Sequence, residues 1–141
     1  MRRSMRRSIR QSMRLAAVAS AMLFSPWLIA QEGHPLKGTW HGSWGVNATE
    51  RTPVTLVMDW DGKSVTGIMN PGPRSSPLEK TAFDPANWQF HFEANYKDRT
   101  GGTARVSIDA KIQDVTNPRR SLVGTWMQGD KKGDFKAVRD N

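Results

Sequence analysis

From Gly38 onward, short segments with apolar residues at every second position recur about every ten residues, and no stretch places them at the i, i+3, i+4, i+7 spacing of a helix face. A period of two belongs to a pleated strand with one face buried, so the chain is predicted to be all-β. In Thr52–Trp60, Val54, Leu56, Met58 and Trp60 alternate with Pro53, Thr55, Val57 and Asp59, and Asp61-Gly62 supplies a hairpin turn. Ser64–Asn70 follows, with Val65, Gly67 and Met69 on one face, until Asn70-Pro71-Gly72-Pro73 ends the strand. Trp88–Glu93 shows the clearest alternation, Trp88, Phe90 and Phe92 facing in and Gln89, His91 and Glu93 facing out. With Thr39–Gly45, Leu78–Phe83, Ala104–Gln113, Ser121–Met127 and Asp134–Arg139, the count is eight short strands joined by local connections. Such a series predicts a small antiparallel up-and-down β-barrel, because closure removes exposed strand edges. A two-sheet sandwich is the alternative.

Residues 1–30 follow a different pattern. Arg2, Arg3, Arg6, Arg7, Arg10 and Arg14 precede a run from Leu15 to Ala30 that holds no charged residue. A basic segment, a short apolar segment and a small residue at its end make an export signal, with cleavage expected after Ala30. The run is shorter than the roughly 20 apolar residues of a bilayer-spanning helix and contains Pro26, so no stable membrane anchor is expected after cleavage. The expected organisation is a signal peptide at 1–30, a flexible mature N-terminus at 31–37 and a barrel domain at 38–141, located in the periplasm or outside the cell.

Export changes the meaning of the charge. The whole chain is formally +8, but beyond residue 30 fifteen basic residues face all thirteen acidic ones, leaving +2. The basic excess of the whole chain therefore gives no reason to expect a nucleic-acid partner. There is no cysteine, which removes both disulfides and a cysteine-linked lipid anchor. Stability has to come from packing, and Trp40, Trp44, Trp60, Trp88, Trp126, Phe83, Phe90, Phe92 and Phe135 are the side chains to supply it.

A tripeptide of glycine, small hydroxyl residue and tryptophan recurs at Gly38-Thr39-Trp40, Gly42-Ser43-Trp44 and Gly124-Thr125-Trp126. Glycine inside a strand weakens it, so its repetition marks sharp coiling or close approach of another group. Gly38-Thr39-Trp40 at the start of the first strand, the strand count and a basic residue, Arg139, in the last strand together resemble the lipocalin-like (calycin) superfamily of eight-stranded barrels. The resemblance implies that Trp40 closes one end of the barrel and that Arg139 covers it, through cation–π attraction.

No catalytic constellation is found. His34, His41 and His91 are dispersed, no His-x-His or His-Glu-x-x-His run occurs, and no nucleophile elbow or phosphate-cradling glycine loop is present. Neither a metal nor a cofactor is expected, and the chain is read as non-enzymatic. Asp59-Trp60-Asp61-Gly62 is read as a hairpin turn and Asn47-Ala48-Thr49 as an ordinary loop. Arg119-Arg120 and Lys131-Lys132 are either a basic rim or two solvated loops.

The aromatic and methionine wall is left: Trp44, Met58, Trp60, Trp88, Phe90, Phe92 and Trp126. It is the candidate ligand-binding set for a small apolar molecule inside the barrel, or else the filling of a small core. The competing expectation is a protein-interaction module, such as an inhibitor of an exported hydrolase, acting through the loops Asn70–Pro77 or Lys97–Gly102.

Overall fold

The structure, a computed structural model, describes residues 33–140, and the expected export signal at 1–30 lies outside them. Nine strands form one antiparallel sheet: β1 Gly38–Gly45, β2 Thr52–Trp60, β3 Val65–Met69, β4 Ser76–Pro77, β5 Glu79–Asp84, β6 Gln89–Lys97, β7 Thr103–Gln113, β8 Ser121–Gln128 and β9 Lys131–Arg139. Their order is β4-β3-β2-β1-β9-β8-β7-β6-β5, so the first long strand pairs with the last and the sheet curls into a nearly closed up-and-down barrel. Among the described residues there is no helix. The all-β antiparallel barrel is what the alternation predicts, and it is compatible with a calycin-like fold.

The strand count differs from the expected eight for a local reason. β4 and β5 flank Leu78 and run in the same direction, pairing with β3 and β6 respectively. They are two halves of one traverse. Lys80 sits at φ 48°, and the register with β6 shifts between Glu79 and Ala82, so an irregularity splits what the sequence reads as the single strand Leu78–Phe83. The seam beside it is held by isolated bonds. The Leu78 amide donates to the Gly67 carbonyl at 2.9 Å, and the Thr81 hydroxyl donates to the Val65 carbonyl at 2.6 Å. The Ser76 hydroxyl donates to the Asn95 carbonyl, and the Lys97 ammonium to that of Ser75 at 3.1 Å.

Inside, side chains from facing strands fill the barrel. Trp40, Leu56, Phe90, Phe92, Ile108, Trp126 and Phe135 are buried, and Ala94, Ala110 and Ala137 make room between the rings. Each buried phenylalanine contributes about 1.5–3 kcal/mol relative to an exposed one. Two of the repeated glycines are explained by close approach: a Cβ at Gly42 would overlap the Lys136 carbonyl, and one at Gly124 would overlap that of Asp109. Each lies two residues before a buried tryptophan, Trp44 or Trp126.

Three placements go beyond what the alternation encodes. Trp88 precedes β6, has φ 56° and is 36 % exposed, because its left-handed backbone breaks the alternation that Phe90 and Phe92 continue. Residues 34–37, expected within a flexible lead-in, pack across one end of the barrel: Leu36 is fully buried and its carbonyl accepts the Trp40 indole N–H at 2.9 Å. Arg119-Arg120 and Lys131-Lys132 cannot form one rim, since the first pair precedes β8 and the second follows it, a strand length away.

Candidate functional site

The barrel has two unlike ends. The closed end carries residues 34–37 and the turns at 61–64, 85–88 and 114–120. The open end carries the loops at 46–51, 70–75, 98–102 and 129–130. Several loops are fixed by a side-chain carbonyl or carboxylate that turns back onto following amides. Asn47 accepts from the amides of Thr49 and Glu50, Asp61 from those of Lys63 and Ser64, and Asp98 from those of Thr100 and Gly102. For Asp61 the bonds from the Ser64 and Lys63 amides hold the carboxyl below its usual range; for Asp98 the Thr100 hydroxyl leads, followed by the Gly102 amide. Asp61-Gly62 and Asn47-Ala48-Thr49 are thus a hairpin turn and a capped loop.

At the closed end, His34 stacks on Trp60 with ring centroids 4.4 Å apart at 16°, and meets the edge of Phe83 at 5.2 Å. Trp88 lies beside Phe83 at 6.3 Å. These rings, with Pro35, Pro85 and Val65, line an open crevice of about 530 Å³. The Leu36 amide donates to His34 Nδ1 at 3.2 Å, which requires a lone pair on that nitrogen. Burial, and then the nearby charge of Arg120, push the His34 pKa below its ordinary value, so geometry and electrostatics agree on a neutral ring. Arg120 fastens the segment by donating to the carbonyls of Pro35 at 2.6 Å and Val115 at 3.2 Å. Burial lowers the Arg120 pKa, as does the charge of Arg139.

Trp40 and Arg139 face each other in the β1–β9 ladder. The Arg139 guanidinium crosses Gly38 to donate to the Lys37 carbonyl at 2.7 Å and also reaches that of Pro118 at 3.1 Å. Gly38, at φ 130°, leaves the space this requires.

The seven wall residues are not one surface. Trp60 and Trp88 belong to the closed-end crevice. Met58, Phe90 and Phe92 are core, with Phe90 and Phe92 at 5.3 Å from each other. Trp44 and Trp126 stack at 3.7 Å toward the open end, with Tyr96 edge-on to Trp44 at 5.2 Å. The indole N–H groups of Trp44 and Trp126 are buried and have no acceptor among the described residues.

The open end holds two adjoining hollows. One, about 800 Å³, runs between the 70–75 and 97–102 loops and is lined by Arg74, Lys97, Arg99, Tyr96, Pro53 and Pro71, among others. The other, about 360 Å³, includes Trp44, Trp126, Gln128 and Lys131. Arg51 and Thr52 border both. Arg51 is committed elsewhere: it pairs with Asp134 and donates to the Ser43 carbonyl at 3.1 Å.

On the outer wall, His91 bonds Asp109 at 2.8 Å and Glu93 at 3.4 Å, and Arg105 pairs with Glu79 and Glu93. Burial alone would lower the His91 pKa, but the bonds to Asp109 and Glu93 outweigh it and raise it. His41 bridges Thr55 and Asp140 on the surface. Among the described residues, no group of three or more His, Asp or Glu is arranged to hold a metal ion.

Sequence reasoning missed His34, Phe83, Arg74 and Arg99. His34 is four residues from Leu15–Ala30's end and 26 from Trp60, and nothing local signals their stacking. The two loops that bear Arg74 and Arg99 were distinguishable, but their meeting depends on how the barrel closes. The chain matches no protein-family model and no curated protein sequence.

Proposed function

We propose that the chain is an exported, non-enzymatic binding module of lipocalin-like architecture, and that it takes a small, flat apolar molecule in the closed-end crevice instead of in the lumen. The observation that carries this reading is the placement of Trp88. A backbone in the left-handed region holds this large ring at the surface beside Phe83, in an open crevice that Trp60 and a neutral His34 also line. The volume falls within the range of small-molecule pockets, which are mostly apolar with few polar groups. The lumen is a poorer host, because large side chains already occupy it.

The test is a fluorescence titration with the neutral probe N-phenyl-1-naphthylamine. Binding is expected, weakened about tenfold by Trp88→Ala through loss of one aromatic face, with the far-ultraviolet circular dichroism unchanged. No binding, or binding insensitive to Trp88→Ala, contradicts the reading.

A protein-interaction module, such as an inhibitor of an exported hydrolase, is the second reading. It is favoured by one observation, that the 70–75 and 97–102 loops stand as opposite walls of a single hollow.

A further inference from the structure

Cationic side chains outnumber carboxylates in the linings of the open-end hollows. Arg74 and Arg99 project from the two walls of the larger hollow and Lys97 stands at the base of one of them. Among the described residues none of the three forms an ion pair. The one carboxylate in that lining, Asp98, has its Oδ1 engaged within its own loop by the Thr100 amide at 2.9 Å, the Thr100 hydroxyl at 2.8 Å and the Gly102 amide at 2.7 Å. Lys97 ties the walls together through the Ser75 carbonyl, which sets the spacing of the hollow without neutralising the charge. In the adjoining hollow, across Arg51, Trp44 and Trp126 each bury an N–H that has no acceptor among the described residues. A buried donor left unpaired costs about 1–3 kcal/mol, so this end of the barrel carries a polar cost beside the charged hollow. At the closed end the Trp40 N–H and the Arg120 and Arg139 guanidiniums donate to carbonyls of the chain.

We infer that the open end is a binding site for a multiply charged oxyanion, a phosphate- or carboxylate-bearing ligand received between the 70–75 and 97–102 loops by Arg74, Lys97 and Arg99. Guanidinium groups match the paired oxygens of such anions, and two of them on facing walls favour a ligand with more than one anionic group. Tyr96, Pro53 and Pro71 give the same hollow apolar surface for the body that carries the charge. This site is separate from the closed-end crevice, so its failure and the failure of the proposed apolar site are read from different variants.

The experiment titrates the purified chain with inorganic pyrophosphate and with citrate by calorimetry at near-physiological salt, and with phosphatidylglycerol vesicles by co-sedimentation. Binding of a free anion is expected, with Arg74→Ala/Arg99→Ala weakening it about tenfold or more and the charge-matched control Lys111→Ala/Arg119→Ala leaving it within about twofold. Binding to vesicles alone, lost in the first variant and kept in the control, supports the site with a lipid headgroup as the source of the anion. No binding to any probe overturns the inference. So does equal weakening by both variants, which would show a general effect of surface charge.

Discussion

Both ends of the barrel present tryptophan and arginine, yet they use them in opposite ways. At the closed end Trp40 is sealed and its N–H is met by the Leu36 carbonyl, while Arg120 and Arg139 strap the chain down through the carbonyls of Pro35, Val115, Lys37 and Pro118. At the open end Trp44 and Trp126 are also buried but their N–H groups have no acceptor among the described residues, and Arg74 and Arg99 line a hollow. The difference teaches that residue type does not decide role here. A guanidinium facing backbone carbonyls is a fastener, and one facing solvent across a hollow is a receptor.

The largest expected effect that bears on this contrast comes from one chemical change made at each end. Trp40→Phe and Trp44→Phe remove similar volume from the core. Trp40→Phe also strands the buried Leu36 carbonyl, whereas Trp44→Phe deletes a donor that had no partner. Urea unfolding should therefore show Trp40→Phe as the less stable of the two by about 1–3 kcal/mol. Equal losses would mean that the two ends are satisfied alike.

A smaller effect separates the ends by pH. His34 has a folded pKa below its ordinary 6.5, so the stability linked to its neutral form is complete above 6.5 and is lost as pH falls through the folded value. Asp98 has a folded pKa below its ordinary 3.8, so its contribution to the open-end loop persists above 3.8 and fades only as pH falls through that lower value. On acidification from neutrality the closed end should loosen first, seen as increased amide exchange at Leu36 before any at Thr100 and Gly102. His91, whose pKa is raised, acts in the other direction: its contribution is present below 6.5 and fades as pH rises through the folded value. Loosening at Gly102 ahead of Leu36 would contradict the assignment.

The barrel itself was legible because alternation is a local signal. Val106, Ile108, Ala110 and Ile112 are all buried, as are Val54, Leu56 and Met58, at the positions the period of two requires. Where the reading failed, the cause was a backbone change that apolar pattern does not encode. Trp88 continues the spacing of Phe90 and Phe92, yet a single left-handed residue turns it outward, and Lys80 splits a strand in the same manner. The candidate sites were less legible still. His34 pairs with Trp60 and Phe83 across gaps of 26 and 49 positions, and Arg74 shares a hollow with Lys97 and Arg99 only because the β4–β5 traverse nearly closes the barrel beside β6. Histidine and arginine in polar segments read as solvated until the fold supplies their neighbours.

The central claim is that a filled barrel separates an apolar site at one end from an anion site at the other. The most direct test follows the indole N–H signals of Trp40, Trp44, Trp60, Trp88 and Trp126 in the ¹⁵N-labelled protein during two titrations. N-phenyl-1-naphthylamine should move Trp60 and Trp88, pyrophosphate should move the Arg74 and Arg99 Nε–H signals in the same spectra and leave Trp60 and Trp88 unmoved, and Trp40 should stay in place in both. A single ligand that shifts all five together would place binding in the lumen and contradict the account.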